Sequence, residues 1–105
     1  MEDIERIALQ IDNGKQLGSR FSFMKNKKTI WSSVGIQKYN ENYMVFIDEI
    51  DEHNIIAEIY SREEIKEFIS LREALDYIEY STALTFDKLL PCKGQRIFNP
   101  EFNQP

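Results

Sequence analysis

The sequence predicts a single α+β domain over residues 1–105: an antiparallel β-meander of about four to five strands, with an N-terminal helix and a C-terminal helix packed on it. Three observations carry this reading. Apolar residues recur at helical spacing in two main stretches, one near each end of the chain. Between them, strand-like runs return at intervals of roughly 10–14 residues, separated by polar turns. The chain has 105 residues, 42% of them apolar, which suits one core without staples.

MEDIERIALQIDNGK, residues 1–15, is the first helix. Ile4, Ile7, Ala8 and Ile11 share a face, acids sit in the first turn where the helix dipole favours them, and Asn13-Gly14 ends it. Residues 15–20 read as a loop. FSFMK, residues 21–25, alternates as a strand that sends Phe21 and Phe23 into the core together, and Asn26-Lys27-Lys28 turns the chain. TIWSSVGIQKY follows, with Ile30, Ser32, Val34 and Ile36 on one face and Trp31, Ser33 and Gly35 on the other. After a turn at 40–42, YMVFIDEI is the most apolar strand. Asp51 to Asn54 close the next turn, and IIAEIY, residues 55–60, runs back as a strand.

Residues 61–69 carry two readings. Ser61 with Glu64 forms a capping box that favours a helix, whereas Ser61 to Glu63 could turn directly into a strand, EIKEF. A second capping box, Ser70 with Glu73, starts nine residues later, so strand then helix is preferred. LREALDYIEYST, residues 71–82, is the surest helix, striped by Leu71, Ala74, Leu75 and Ile78. LTFDKLLPCKG contains a short helical turn capped by Thr85 and stopped by Pro91. FNPEFNQP has two prolines and no periodicity, and residues 99–105 are a loop-like tail.

Charge is unevenly distributed. The net charge is −5, yet residues 13–40 carry six bases and no acid, while residues 41–79 carry twelve acids against three bases. The acidic balance disfavours direct nucleic-acid binding, which needs clustered cations, although Phe21, Phe23 and Trp31 interleave with bases as in single-strand platforms. Gly14, Gly18 and Gly35 do not form a phosphate-binding loop. One cysteine, Cys92, permits no internal disulfide. The N-terminus lacks a signal-peptide pattern, and no run approaches the ~18 apolar residues of a membrane span. A soluble, cytoplasmic protein is expected.

The densest polar cluster, Asp48-Glu49-Ile50-Asp51-Glu52-His53, is tested first as a metal site. Zinc wants three or four convergent N or S ligands, and this chain has one His and one distant Cys; calcium loops need a glycine that is absent here. No metal and no cofactor is expected. Asp48 and Glu58 could pair across the turn as acid–base carboxylates, and His53 with Cys92 could imitate a thiol triad. Neither pattern carries a sign of burial or activation, so no catalytic residue is assigned. The remaining readings are a solvated hairpin turn and an acidic contact surface.

From residue 43 to 100 an acidic meander is followed by SLREALDYIE and then LTFDKLLPCKGQRIFNP. In this order, and in size and acidity, the chain resembles the small immunity proteins that bacteria encode beside contact-dependent growth-inhibition toxins and related polymorphic toxins. The resemblance implies a role and no particular residue: binding a cognate toxin domain in the cytosol, often a basic nuclease, and covering its active site or substrate groove. On that reading Asp48, Glu49, Asp51, Glu52, Glu58, Glu63, Glu64 and Glu67 form an acidic face that mimics a phosphate field, and Tyr39, Tyr43 and Tyr60 are its aromatic anchors. The alternatives are a small enzyme built around Asp48, Glu58 and His53, and a regulatory adaptor with no toxin partner.

Overall fold

A computed structural model describes residues 2–101. Helix α1, Asp3–Asp12, carries Asp3 and Glu5 in its first turn and buries Ile7 and Ile11. It ends as expected: Asn13 and Gly14 donate their amides to Leu9 O and Ile11 O, with Gly14 at a φ of +83°. Strands β1 (Leu17–Lys25), β2 (Lys28–Tyr39) and β3 (Asn42–Asp51) then form the meander. Their turns, Asn26-Lys27 and Asn40-Glu41, have positive φ at both positions. That shape matches the twist of a two-residue hairpin.

Strand β4 (Arg62–Phe68), helix α2 (Leu71–Ser81), a 3₁₀ turn (Phe86–Lys88) and a two-residue β5 (Leu90–Pro91) complete the chain. All pairings are antiparallel, and the order across the sheet is β4-β3-β2-β1-β5. The expected α+β architecture is present. So are the preferred strand within 61–69 and the Ser70 cap, whose hydroxyl accepts from Glu73 N. The 3₁₀ turn stands where a helical turn was expected; Thr85 occupies its cap position without a side-chain cap bond.

Alternation puts Leu17, Val34, Ile36, Val45 and Ile47 on one face of the sheet. Ile7 and Ile11 of α1 and Ala74, Leu75 and Ile78 of α2 close over them. Phe21 and Phe23 do share this face, with ring centroids 6.2 Å apart, but both stay half-exposed and only Phe21 packs on the core.

Two expectations fail locally. Residues 15–20 are not all loop, because Leu17 to Arg20 already pair with Ile36 to Ser33 and satisfy the ladder of the long β2. Residues 55–60 are not a strand. Their alternation suits one, but the partner of β3 is β4, seven residues further along. What decides is the connection to α2. A strand ending at Phe68 leads within two residues to the Ser70 cap, and both ends of α2 are then tied to it. Phe68 packs on the Tyr77 ring at 5.2 Å between centroids, and Arg62 Nη1 donates to Ser81 O at 2.6 Å.

Part of the second face of the sheet, around Gly18, Gly35 and Phe46, is covered by the C-terminal segment. Phe98 lies parallel on Phe46, with centroids 5.6 Å apart and 12° between planes. It rests over Gly35, where a Cβ would sit 2.9 Å from the ring; Ile97 lies over the paired Gly18. These two glycines open a groove on the sheet that any side chain would close. Gln16, only 6% exposed, holds the segment there. Its Nε2 donates to Phe98 O and to Gln37 Oε1, both at 2.8 Å, and its Oε1 accepts from Ile97 N at 2.7 Å and Phe98 N at 3.3 Å. The tail is therefore irregular, as expected, but packed as far as Pro100, which is buried; residues 102–105 of the expected tail lie outside the described residues.

Candidate partner-binding surface

Because β4 and not 55–60 completes the sheet, the chain between β3 and β4 bulges outward. Asp51 caps the 3₁₀ turn Glu52–Asn54 by accepting from His53 N. Ile59 N then donates to Asn54 O, and Ser61 N to Glu49 O, closing a compact loop. Its apolar side chains point outward: Ile56 is 99% exposed and Ile59 59%, with Ile55 and Tyr60 also in solvent. Trp31, exposed on β2, donates its indole N–H to Glu52 Oε1 at 3.4 Å, beside the root of this loop.

The eight acids expected to share one face are divided between two. Register places Asp48 opposite Glu63 and Met44 opposite Glu67, on the face away from the helices. Glu63 and Glu67 are exposed there, Glu67 accepting from Asn42 Nδ2 at 2.7 Å. Glu52 and Glu58 are exposed on the 3₁₀ turn and the loop. Glu49, Asp51 and Glu64 face the helix side and are already engaged: Arg62 bridges Glu49 and Glu64 at 3.2 and 2.7 Å, and Lys28 lies 3.7 Å from Asp51. Burial pushes the Glu64 carboxyl up, but the Tyr77 hydroxyl and the Arg62 guanidinium outweigh it and hold the group below 4.5.

Of the three expected anchors, only Tyr60 is free. Burial raises its hydroxyl pKa first, and the negative charges of Asp48, Glu63 and Glu58 raise it further, so these four groups make one neighbourhood. Tyr43 is half-buried on the helix face with Lys38 Nζ over its ring, and Tyr39 is half-buried at the far end of β2. The exposed apolar residues that sequence reasoning missed here are Ile55, Ile56 and Ile59. Their signal was the same alternation that marks a buried strand, so it pointed inward.

The residues of the enzyme alternative are spread over the loop and the sheet. Glu58 sits in the loop at a φ of +55°, and the carboxylate opposite Asp48 is Glu63. His53 and Cys92 lie at opposite ends of the sheet, separated by about six residue rows, or ~20 Å. Among the described residues no group of His, Cys, Asp and Glu could hold a metal ion.

Asp48 instead has a structural part. Its Oδ1 accepts from Ser33 N at 2.7 Å, and Ser32 Oγ donates to its carbonyl at 2.8 Å. Burial raises the Asp48 pKa above 3.8, opposed by the Ser33 bonds and reinforced by Glu63. A raised folded-state value means that folding favours the protonated acid. The contribution is fully present below pH 3.8 and is lost as pH rises through the folded value. Asp48→Asn keeps an acceptor for Ser33 N and cannot ionise. It is expected to raise the urea midpoint at pH 7 and to leave it unchanged near pH 3; equal midpoints at pH 7 would show that the burial cost is absent.

The sheet and its two helices on one face define a two-layer α+β domain with an exposed apolar loop between β3 and β4. No family model, curated protein or solved structure matches this chain. Among the described residues no helix is long and apolar enough to cross a membrane.

Proposed function

We propose that this chain is an immunity-type inhibitor that binds a cognate toxin domain in the cytosol and covers its active site or substrate groove. The observation that supports this reading most directly is the loop between β3 and β4. Exposed isoleucines and Tyr60 stand where solvation disfavours them, on a connection that carries Glu52 and Glu58 and joins strands bearing Asp48 and Glu63. Apolar anchors inside an acidic rim fit a basic partner with an apolar recess, and a nuclease groove built to hold phosphates has that charge. Complementary charge speeds the encounter, and desolvated anchors hold the complex.

The test uses the toxin domain that this reading expects to be encoded beside this chain, titrated by calorimetry at low and high salt. Ile56→Asp and Tyr60→Ala are each expected to weaken the complex by about 2 kcal/mol, roughly thirty-fold in Kd, as interface hot spots do. Exposed positions of this kind shift folding stability by no more than about 0.5 kcal/mol, so the urea midpoint should hold. Added salt should weaken the parent complex further. A complex indifferent to both variants, or to salt, overturns the proposed interface.

A further inference from the structure

At the opposite end of the sheet the chain builds a second feature of reversed charge. The C-terminal end of α1, the end of β2 and the segment after β5 enclose an open cavity of about 740 Å³. Three cations from two separate segments line it: Lys15 just after α1, and Lys93 and Arg96 on the chain that crosses the sheet. Three glutamines, Gln10, Gln16 and Gln37, complete its polar wall.

The wall presents donors. Gln10 Oε1 accepts from Arg6 Nη1 at 3.0 Å and Gln37 Oε1 from Gln16 Nε2 at 2.8 Å, while among the described residues the amide nitrogens of Gln10 and Gln37 have no hydrogen-bond partner. Gln16, buried and bonded through both its atoms to the crossing segment, fixes this arrangement. No Asp or Glu lines the cavity, and the acid of the adjoining turn, Asp12, is held by Lys38 at 3.8 Å. The carbonyls at the end of α1, which would repel an anion, already accept from Asn13, Gly14 and Lys15. Among the described residues none of the three cations has an ion-pair partner. In a chain of net charge −5, three cations without ion-pair partners thus gather around one recess.

From this cationic lining without a carboxylate we infer that the cavity between α1, β2 and the crossing segment binds a small molecule bearing a di- or triphosphate. One phosphate could be met by one or two cations. Three cations with two free amides suit a chain of phosphates, and the volume is that of a small-molecule pocket, with room for a nucleoside beside them. The site is independent of the β3–β4 loop: Gln37 lies seven residues along β2 from Ile30, about 23 Å away, and Ile30 pairs with Asp51 at the loop's root.

The experiment is a titration of the full chain with pyrophosphate, ATP, adenosine and citrate, read by the backbone amides of Gly14 and Gly94 in nitrogen-15 NMR. Saturable shifts at both glycines are expected with pyrophosphate and ATP, and none with adenosine. Lys93→Gln and Arg96→Gln should each raise the Kd roughly ten-fold, the loss of one charge-assisted hydrogen bond, while Lys27→Gln at the distant hairpin should not. Non-saturable shifts, or Kd values equal in the parent and Arg96→Gln, overturn the site. Equal binding of citrate and pyrophosphate overturns its assignment to phosphates.

Discussion

Phe98→Ala is expected to destabilise the domain by about 3 kcal/mol, at the lower end of the range for deleting a buried aromatic ring. The ring is 8% exposed and stacked on Phe46, so its removal leaves both the Phe46 face and the cleft over Gly35 uncovered. The effect should stay near the lower end because the crossing segment is anchored only at intervals and can shift to cover part of the gap. Urea unfolding measures the loss, and hydrogen exchange locates it. The Ile97 and Phe98 amides, which donate to Gln16, should lose protection while the β2–β3 ladder keeps its own. A companion variant sharpens the test. Gly35→Ala introduces a Cβ 2.9 Å from the Phe98 ring and should destabilise by displacing it. In the double variant that methyl occupies vacated space, so the two effects should sum to less than their separate values. Strict additivity would mean that Phe98 does not sit over Gly35.

Arg62→Ala is expected to cost about 2 kcal/mol at neutral pH, less than a fully buried pair because its surroundings are partly wet. The side chain is 22% exposed and bridges Glu49 and Glu64, at 15% and 28% exposure, while donating to Ser81 O at the end of α2. Removing it leaves two half-buried carboxylates facing each other and a carbonyl without its donor. The pH dependence has a definite sign. In the parent chain the folded-state pKa of Glu64 lies below 4.5, so its stabilisation is present above that value and is lost as pH falls through the folded value. Without Arg62 the Glu64 carboxyl loses the guanidinium that helps to hold its pKa down, so its charged form is favoured less. The gap between parent and variant should therefore be widest at pH 7 and narrow toward pH 3, in denaturant midpoints taken across that range. Arg62→Lys should recover only part of it, since one ammonium cannot hold two carboxylates and the carbonyl in one geometry. A gap that is constant with pH would show that packing, not charge, sets the role of Arg62.

These two residues mark what the sequence could and could not reveal. The first helix, the β1–β2–β3 hairpins, the strand before Ser70 and the Ser70-capped helix were legible because each is specified locally. Their periodicity, caps and Asn-containing turns act within a few residues. Part of the candidate surface was legible too: the concentration of acids after residue 40, and Tyr60 among them.

Three outcomes were settled by tertiary contacts. Two segments, 55–60 and 62–68, could each have paired with β3 on pattern alone. The second won because it leads directly into the Ser70 cap of α2 and packs back on that helix, through Phe68 on Tyr77 and Arg62 on Ser81. Ile56 and its neighbours were thereby turned outward. The acids were divided between two faces by register, since a strand's side chains alternate and a partner's position cannot be read from either strand alone. And the segment from Cys92 to Pro100 has no periodicity of its own. Its place on the sheet comes from two glycines and a glutamine more than fifty residues away along the chain. The sequence by itself determined the α+β class and most of its elements, because those rest on local rules. Which apolar residues face water, which acids remain unpaired, and which cations share a cavity were decided only when distant segments competed for the same sheet.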